Sequence, residues 1–324
     1  MKIRVAACVL ALSALVSTDL SAGAAPPGSA EEHMAKAKEA AGMDFTGLLS
    51  QLCVTPDVFI GGGSNTNIPP RAAWYAEPVK VFDNFYFLGT KTHGAWALNT
   101  SDGIILIDTV FNYAAEAELV DGLKTLGLDP AKVKYVLISH GHPDRIGGAR
   151  LLQERFGAKV VVSGEDGAAI DKMTDVPGGK PKADIIVKDG EKITLGDGAV
   201  TLVSTPGHTV GTTSFIFTVK EGGKPVTVVY QGGMALPGSG APALTSYLTS
   251  QRKLAGLAEA ANASVALTTH TMGDNTQVKL RLMAARKAGE ANPFELGKQG
   301  VARYFTVGAE CAEAALARLK RPGA

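Results

Sequence analysis

Cysteine is scarce in this 324-residue chain: there are three, and none stands in a metal-binding motif, so thiolate ligation is excluded. Long apolar runs are also missing. The amino-terminal run, Val5 to Val16, is shorter than the roughly 20 residues a bilayer requires, which excludes a stable membrane anchor. Charge of one sign is nowhere gathered, and the net charge is +1. Without a basic stripe or an aromatic-rich cluster there is no footprint for nucleic acid, and without a charge block there is none for a membrane surface. No repeat of solenoid period occurs. The glycine-rich stretch from Gly61 to Pro70 is followed by no Lys-Ser/Thr helix start, so it reads as a surface connection and not as a phosphate cradle.

What is present begins with a leader. Lys2 and Arg4 precede the apolar run, and Ser21-Ala22-Gly23-Ala24-Ala25 is a small-residue cleavage site, so residues 1–25 read as a secretory signal and the mature protein as periplasmic or secreted. Val5-Ala6-Ala7-Cys8 imitates a lipoprotein box but precedes the apolar run, which argues against lipidation. The mature chain carries 30 basic and 30 acidic side chains. Its length and the 45% hydrophobic composition fit one large α/β domain. Cys8 departs with the leader, leaving Cys53 and Cys311 as either one disulfide or two buried thiols. An extension over 26–77, helical from Glu31 to Leu49, precedes the main domain over 78–324.

The main domain opens with strand-like runs at Val79 to Phe82, Phe85 to Leu88, Ala95 to Asn99 and Ile104 to Asp108. A helix follows over Tyr113 to Leu126, then a strand over Val133 to Ser139. Further strands read at Lys159 to Ser163, Ile185 to Val187, Lys192 to Leu195, Val200 to Ser204, Ser214 to Val219 and Val226 to Tyr230. Helical patterns close the chain at Leu244 to Ala261, Gln277 to Gly289 and Ala309 to Leu319.

The chemistry sits where strands end. Ser139-His140-Gly141-His142-Pro143-Asp144-Arg145 follows one strand, Thr205-Pro206-Gly207-His208-Thr209 another, and His270 ends a third. Two histidines one residue apart on extended backbone point the same way, as two ligands on one ion must. Imidazole suits zinc, and carboxylate is an acceptable addition. Gly147-Gly148 then allows a helix to start close against the strand.

These motifs together resemble the metallo-β-lactamase fold of metal-dependent hydrolases, from about Pro78 to the end, and within it the third subclass of metallo-β-lactamases and its uncharacterised relatives. Shared with that subgroup are Gly89-Thr90-Lys91, Ser-Asp-Gly-Ile-Ile-Leu-Ile-Asp over 101–108 and Leu-Gly-Leu-Asp-Pro over 126–130. The resemblance implies an α/β protein built as a four-layer αβ/βα sandwich. It implies zinc held by His140, His142 and His208 with water in the fourth position, and a small-molecule substrate whose carbonyl is attacked by hydroxide. Asp144 then orients that hydroxide or takes its proton, and joins His270 as ligand to a second metal. Asp108 braces the site from behind; as a residue alone it reads as the cap of the next helix, a role it can combine with bracing. His93 reads as a solvated loop histidine, with a place at the groove border as the alternative. The loop from Val176 to Lys182 separates the halves and flanks the groove in relatives.

Two departures qualify the resemblance. The residue after Asp144 is Arg145 where a ligand histidine is usual, and a guanidinium has no lone pair to give. One firmly held zinc is therefore expected, with the second site weakened or absent. Arg145 is expected to take part in catalysis, by pairing with Asp144 or by forking onto a substrate carboxylate, unless it turns away and a second zinc still binds. Tyr230 to Gly238 carries no acid where glyoxalase-like and lactonase-like relatives have one, and Gly233 and Ala235 stand where serines are usual in the third subclass. A β-lactam amide is the leading substrate, which would make antibiotic resistance the role. Another cyclic amide, an ester, a lactone or a thioester is the alternative, and a zinc-binding protein without turnover is a third reading.

Overall fold

The computed structural model describes residues 25–54, 68–238 and 240–320. The leader, apart from its last residue, and the glycine-rich connection up to Asn67 lie outside them. Twelve strands form two sheets among the described residues. The first sheet contains β1 (Val79–Phe82), β2 (Phe85–Phe87), β3 (Trp96–Thr100), β4 (Gly103–Ile107), β5 (Val133–Leu137), β6 (Lys159–Ser163) and β7 (Ile185–Val187), bonded in that order. The second contains β8 (Lys192–Leu195), β9 (Gly198–Ser204), β10 (Thr213–Glu221), β11 (Lys224–Gln231) and β12 (Val265–Thr268), in reverse order. Pairing is antiparallel from β1 to β4 and parallel from β4 to β7. Tight turns suffice for the former, whereas each parallel step needs a crossover, here helical.

Both faces of each sheet are covered, which is why the strands are almost uniformly apolar. In β4, Ile105 and Ile107 face the core between the sheets, with Trp96, Phe217 and Val228, while Ile104 and Leu106 face the helices outside with Leu119, Leu123 and Leu152. In β11, Tyr230 points between the sheets, and Val229 points outward to Phe45, Leu254 and Tyr304. Helices on both outer faces make the four-layer sandwich.

Ser29 caps the helix Ala30–Ala41 by accepting from the Glu32 amide, and this helix packs on the long carboxy-terminal helix Gly297–Leu319. The latter starts twelve residues before the sequence suggests, because Gly297, Gly300 and Gly308 mask a buried stripe of Val301, Tyr304, Phe305 and Cys311. Cys311 is disulfide-bonded to Cys53, joining positions 258 residues apart. None of the described helices is long and apolar enough to cross a membrane.

β2, β4, β5, β9, β11 and β12 all end at one rim of the sandwich, and the turns leaving them carry His93, Asp108, His140, His208, Gly232 and His270. Gly147 lies against this rim so closely that a Cβ there would stand 2.5 Å from the Asn112 nitrogen and 2.6 Å from the Val110 oxygen.

Candidate metal centre

His140, His142 and His208 converge as the motif requires. Their ring centroids lie 4.6, 4.6 and 4.9 Å apart, and the rings stand nearly perpendicular to one another, like three faces of a corner. His140 Nδ1 lies 2.7 Å from the Gly232 oxygen and His208 Nδ1 3.0 Å from the Ala235 oxygen, so each ring gives its N–H to a carbonyl and turns the Nε2 lone pair into the corner. Among the described residues the buried His140 Nε2 has no hydrogen-bond partner. His208 Nε2 and His142 Nδ1 are 3.2 Å apart. Two imidazole nitrogens on one tetrahedral zinc stand about 3.3 Å apart, so the three residues fit that ion. His140 is buried while His142 and His208 are partly exposed, which leaves the corner open on one side. Burial holds His140 well below the ordinary imidazole range and pushes His208 down to about 4, so both rings are neutral at physiological pH, as ligands must be.

The turn that supplies the two carbonyls is itself fixed. Gln231 Nε2 donates to the Gly233 oxygen at 2.9 Å, and Tyr247 Oη to the Met234 oxygen at 2.6 Å. A Cβ at Gly233 would stand 2.5 Å from the His208 Cβ. A side chain at this position would therefore require either His208 or the turn to shift.

Asp108 lies under the corner with a φ of +57°, outside the usual range for a non-glycine residue. Its Oδ1 accepts from the Ser139 amide at 2.7 Å, and its Oδ2 from Ser139 Oγ and Tyr230 Oη, each at 2.7 Å. Burial pushes its carboxyl up to about 6 against the pull of Arg145 and these donors. It braces the segment that carries His140 and caps no helix. Asp166, which the sequence did not single out, accepts from the Gly141 amide and Thr209 Oγ1, tying the two histidine turns together.

Arg145 takes one of the arrangements left open for it. Its side chain is 0% exposed and pairs with Asp144. Nε and Nη2 donate to Asp144 Oδ2 at 3.1 and 2.5 Å, and Nη1 donates to the Gly94 and Thr269 oxygens at 3.1 and 2.8 Å. Of the fates open to it in the sequence, pairing with Asp144 is the one the structure adopts. Burial alone would raise the Asp144 carboxyl, but Arg145 and the nearby histidines outweigh it and hold the group well below the usual carboxylate range.

His93 is a second correction. It is buried at 6% exposure, not solvated, because the short turn between β2 and β3 folds it inward and pairs its backbone with that of His270. Its ring lies edge-on to Phe111, which stacks on Tyr113 to wall this side of the rim. His93, Asp144 and His270 form a second buried cluster whose ligand atoms all lie within 4.8 Å of one another. His93 thus stands as a third ligand-type residue beside Asp144 and His270.

A family model described as the metallo-β-lactamase superfamily matches residues 91–223. Among solved structures, BJP-1, a subclass B3 metallo-β-lactamase of Bradyrhizobium japonicum, is 30% identical, with 75% of this chain and 95% of that one covered and a TM-score of 0.65. A metal-dependent hydrolase of Anaeromyxobacter dehalogenans is 38% identical over 120 residues, 35% of this chain and 42% of the relative. The N-acyl homoserine lactonase AttM of Agrobacterium fabrum is 32% identical over 140 residues, 40% of this chain and 53% of the relative. The chain thus spans about half the length, or less, of these curated relatives.

Proposed function

The chain belongs to the metallo-β-lactamase superfamily, a metal-dependent hydrolase by that membership, and we propose that it is an exported zinc enzyme opening an amide bond, with a β-lactam ring as leading substrate. The observation that carries this reading is the open corner of three histidines, each held below the ordinary imidazole range by burial, since a structural zinc closes its fourth position with protein whereas a catalytic one leaves it free. When bound, zinc supplies Lewis acidity and a source of hydroxide at neutral pH. The chain's residues do the positioning. The carbonyls of Gly232 and Ala235 fix the tautomers of His140 and His208. Asp144, ionised beside the corner, would orient the attacking group by accepting its hydrogen bond at the carboxylate.

A β-lactam is favoured by the likeness to BJP-1 over 95% of that chain and by the absence of an acid between Gln231 and Gly238. A lactone or another ester is the second reading, favoured by the partial match to the lactonase. Export rests on the leader over 1–25, and a disulfide between Cys53 and Cys311 suits an oxidising compartment.

The test is hydrolysis of a chromogenic cephalosporin by the mature protein, first with zinc and then with a chelator. Turnover that chelation and His142→Ala both abolish is the expected result. Zinc bound without cephalosporin turnover would overturn the lactam reading and direct the same assay to lactones and thioesters; failure on all of them would leave a zinc-binding protein without turnover.

A further inference from the structure

We propose that His93 replaces the ligand lost at Arg145, so that His93, Asp144 and His270 hold a second divalent cation beside the three-histidine corner, with Arg145 as the brace that positions all three. This rests on the metal-dependent reading above but makes no use of the substrate.

His93 is poised as a ligand would be. Its Nδ1 lies 2.9 Å from Thr92 Oγ1 and 3.1 Å from Thr90 Oγ1, while its Nε2 is buried without a hydrogen-bond partner among the described residues. That nitrogen faces Asp144 Oδ2 at 3.7 Å, and His270 Nε2 faces the same oxygen at 3.8 Å. A ring whose outer nitrogen is satisfied and whose inner nitrogen is left bare is the arrangement already seen at His140, and it is how a protein presents a metal-binding imidazole. Leaving such a nitrogen bare costs free energy in a buried site unless something occupies it. The two histidine–carboxylate spacings are a few tenths of an ångström wider than the about 3.3–3.5 Å expected for two ligands on one tetrahedral ion, and all three ligand atoms lie within 4.8 Å of one another.

Arg145 explains how the cluster is held. Its guanidinium grips Asp144 directly, the carbonyl just after His93 through Gly94, and the carbonyl just before His270 through Thr269. One rigid fork thus ties the three residues together, and on Asp144 it bonds the same oxygen that the two histidines face. A fourth side chain would have to displace it, and the two histidines come from turns 177 residues apart that meet as a backbone bridge. Because Arg145 already offsets the charge of Asp144, this site should be weaker than the three-histidine corner and should fill after it.

The experiment is zinc titration of the metal-free mature protein, followed by calorimetry and by elemental analysis at controlled free zinc. Two equivalents with two distinct affinities are expected for the wild type. His93→Ala should keep the tighter event and weaken the other by more than the roughly 10- to 100-fold that loss of an outer hydrogen bond costs. His93→Gln, nearer in volume, serves if the alanine variant unfolds, and circular dichroism checks each. A wild type that stops at one equivalent, or a variant that still binds two with unchanged affinities, would overturn the proposal. Two equivalents with no cephalosporin turnover would sink the lactam reading and leave this site standing, and no zinc at all would sink both.

Discussion

Tyr230 in the second sheet donates its hydroxyl to Asp108 at the end of β4 in the first, at 2.7 Å, so one buried hydrogen bond links the two halves directly beneath the histidine corner. The same carboxylate holds Ser139, the residue before His140. A packing contact between sheets and the placement of a ligand are therefore joined in a single side chain.

Removing that hydroxyl should be costly. Tyr230→Phe leaves a buried charge-assisted acceptor with one donor fewer, and a loss of about 1–3 kcal/mol is expected. Urea unfolding checks this, and a midpoint within error of wild type would show that the bond contributes nothing net.

Arg145→His restores the sequence pattern usual in the family, yet here it should destabilise the metal-free protein. The shorter ring cannot reach Asp144, Gly94 and Thr269 together, so a buried carboxylate and two buried carbonyls lose their donors. Removing one partner of a buried ion pair typically costs about 3–5 kcal/mol, and Arg145→Lys, which keeps the charge without the fork, should fall between. Equal stability of all three proteins without metal would contradict the bracing role.

Gly233→Ser tests the turn beside His208. The new Cβ would stand 2.5 Å from the His208 Cβ and 3.0 Å from Thr212 Cγ2, so the ring or the turn must move. Zinc affinity at the corner should drop roughly 10- to 100-fold, as for other losses of ligand positioning. Competition with a chromophoric chelator measures it; wild-type affinity would mean that the turn yields without cost.

Glu118 gives a pH signature away from the metal. It is fully buried, accepts from the Ala76 amide at 3.0 Å through Oε1, and burial pushes its carboxyl up to about 8. The folded protein thus retains a proton that the unfolded chain releases near 4.5, and the associated stability, full below that pH, is lost as pH rises toward 8. A tenfold difference in proton affinity between the folded and unfolded chain is worth about 1.4 kcal/mol, so the loss should reach a few kcal/mol at most. Glu118→Gln removes this dependence, and its stability between pH 5 and pH 8 should decline less than that of wild type. Parallel curves in urea unfolding would refute the assignment.

The strands were legible because both sheet faces are buried and β-branched runs announce them: β1, β6, β7 and β8 match the sequence reading residue for residue. The carboxy-terminal helix was half hidden, since its glycines look like breaks until Gln251 is seen packed where a Cβ at Gly308 would stand. At the site, His140, His142, His208 and His270 each follow a strand and could be read in order. His93 could not, because its burial depends on a meeting with His270 that no local pattern encodes; the threonines at 90 and 92 were the available hint. Arg145 was legible as a residue unable to ligate, but its destination depends on carbonyls from two distant turns.

The bond between Cys53 and Cys311 has a topological consequence. It closes the segment between the two cysteines into a covalent ring, and both sheets and all five rim histidines lie within that ring. A single backbone cut anywhere between those cysteines opens the ring without releasing a fragment. The two halves of the cut protein would stay tethered until the sulfur link is reduced, so nicking alone should release no smaller band on a non-reducing gel, whereas reduction should release two.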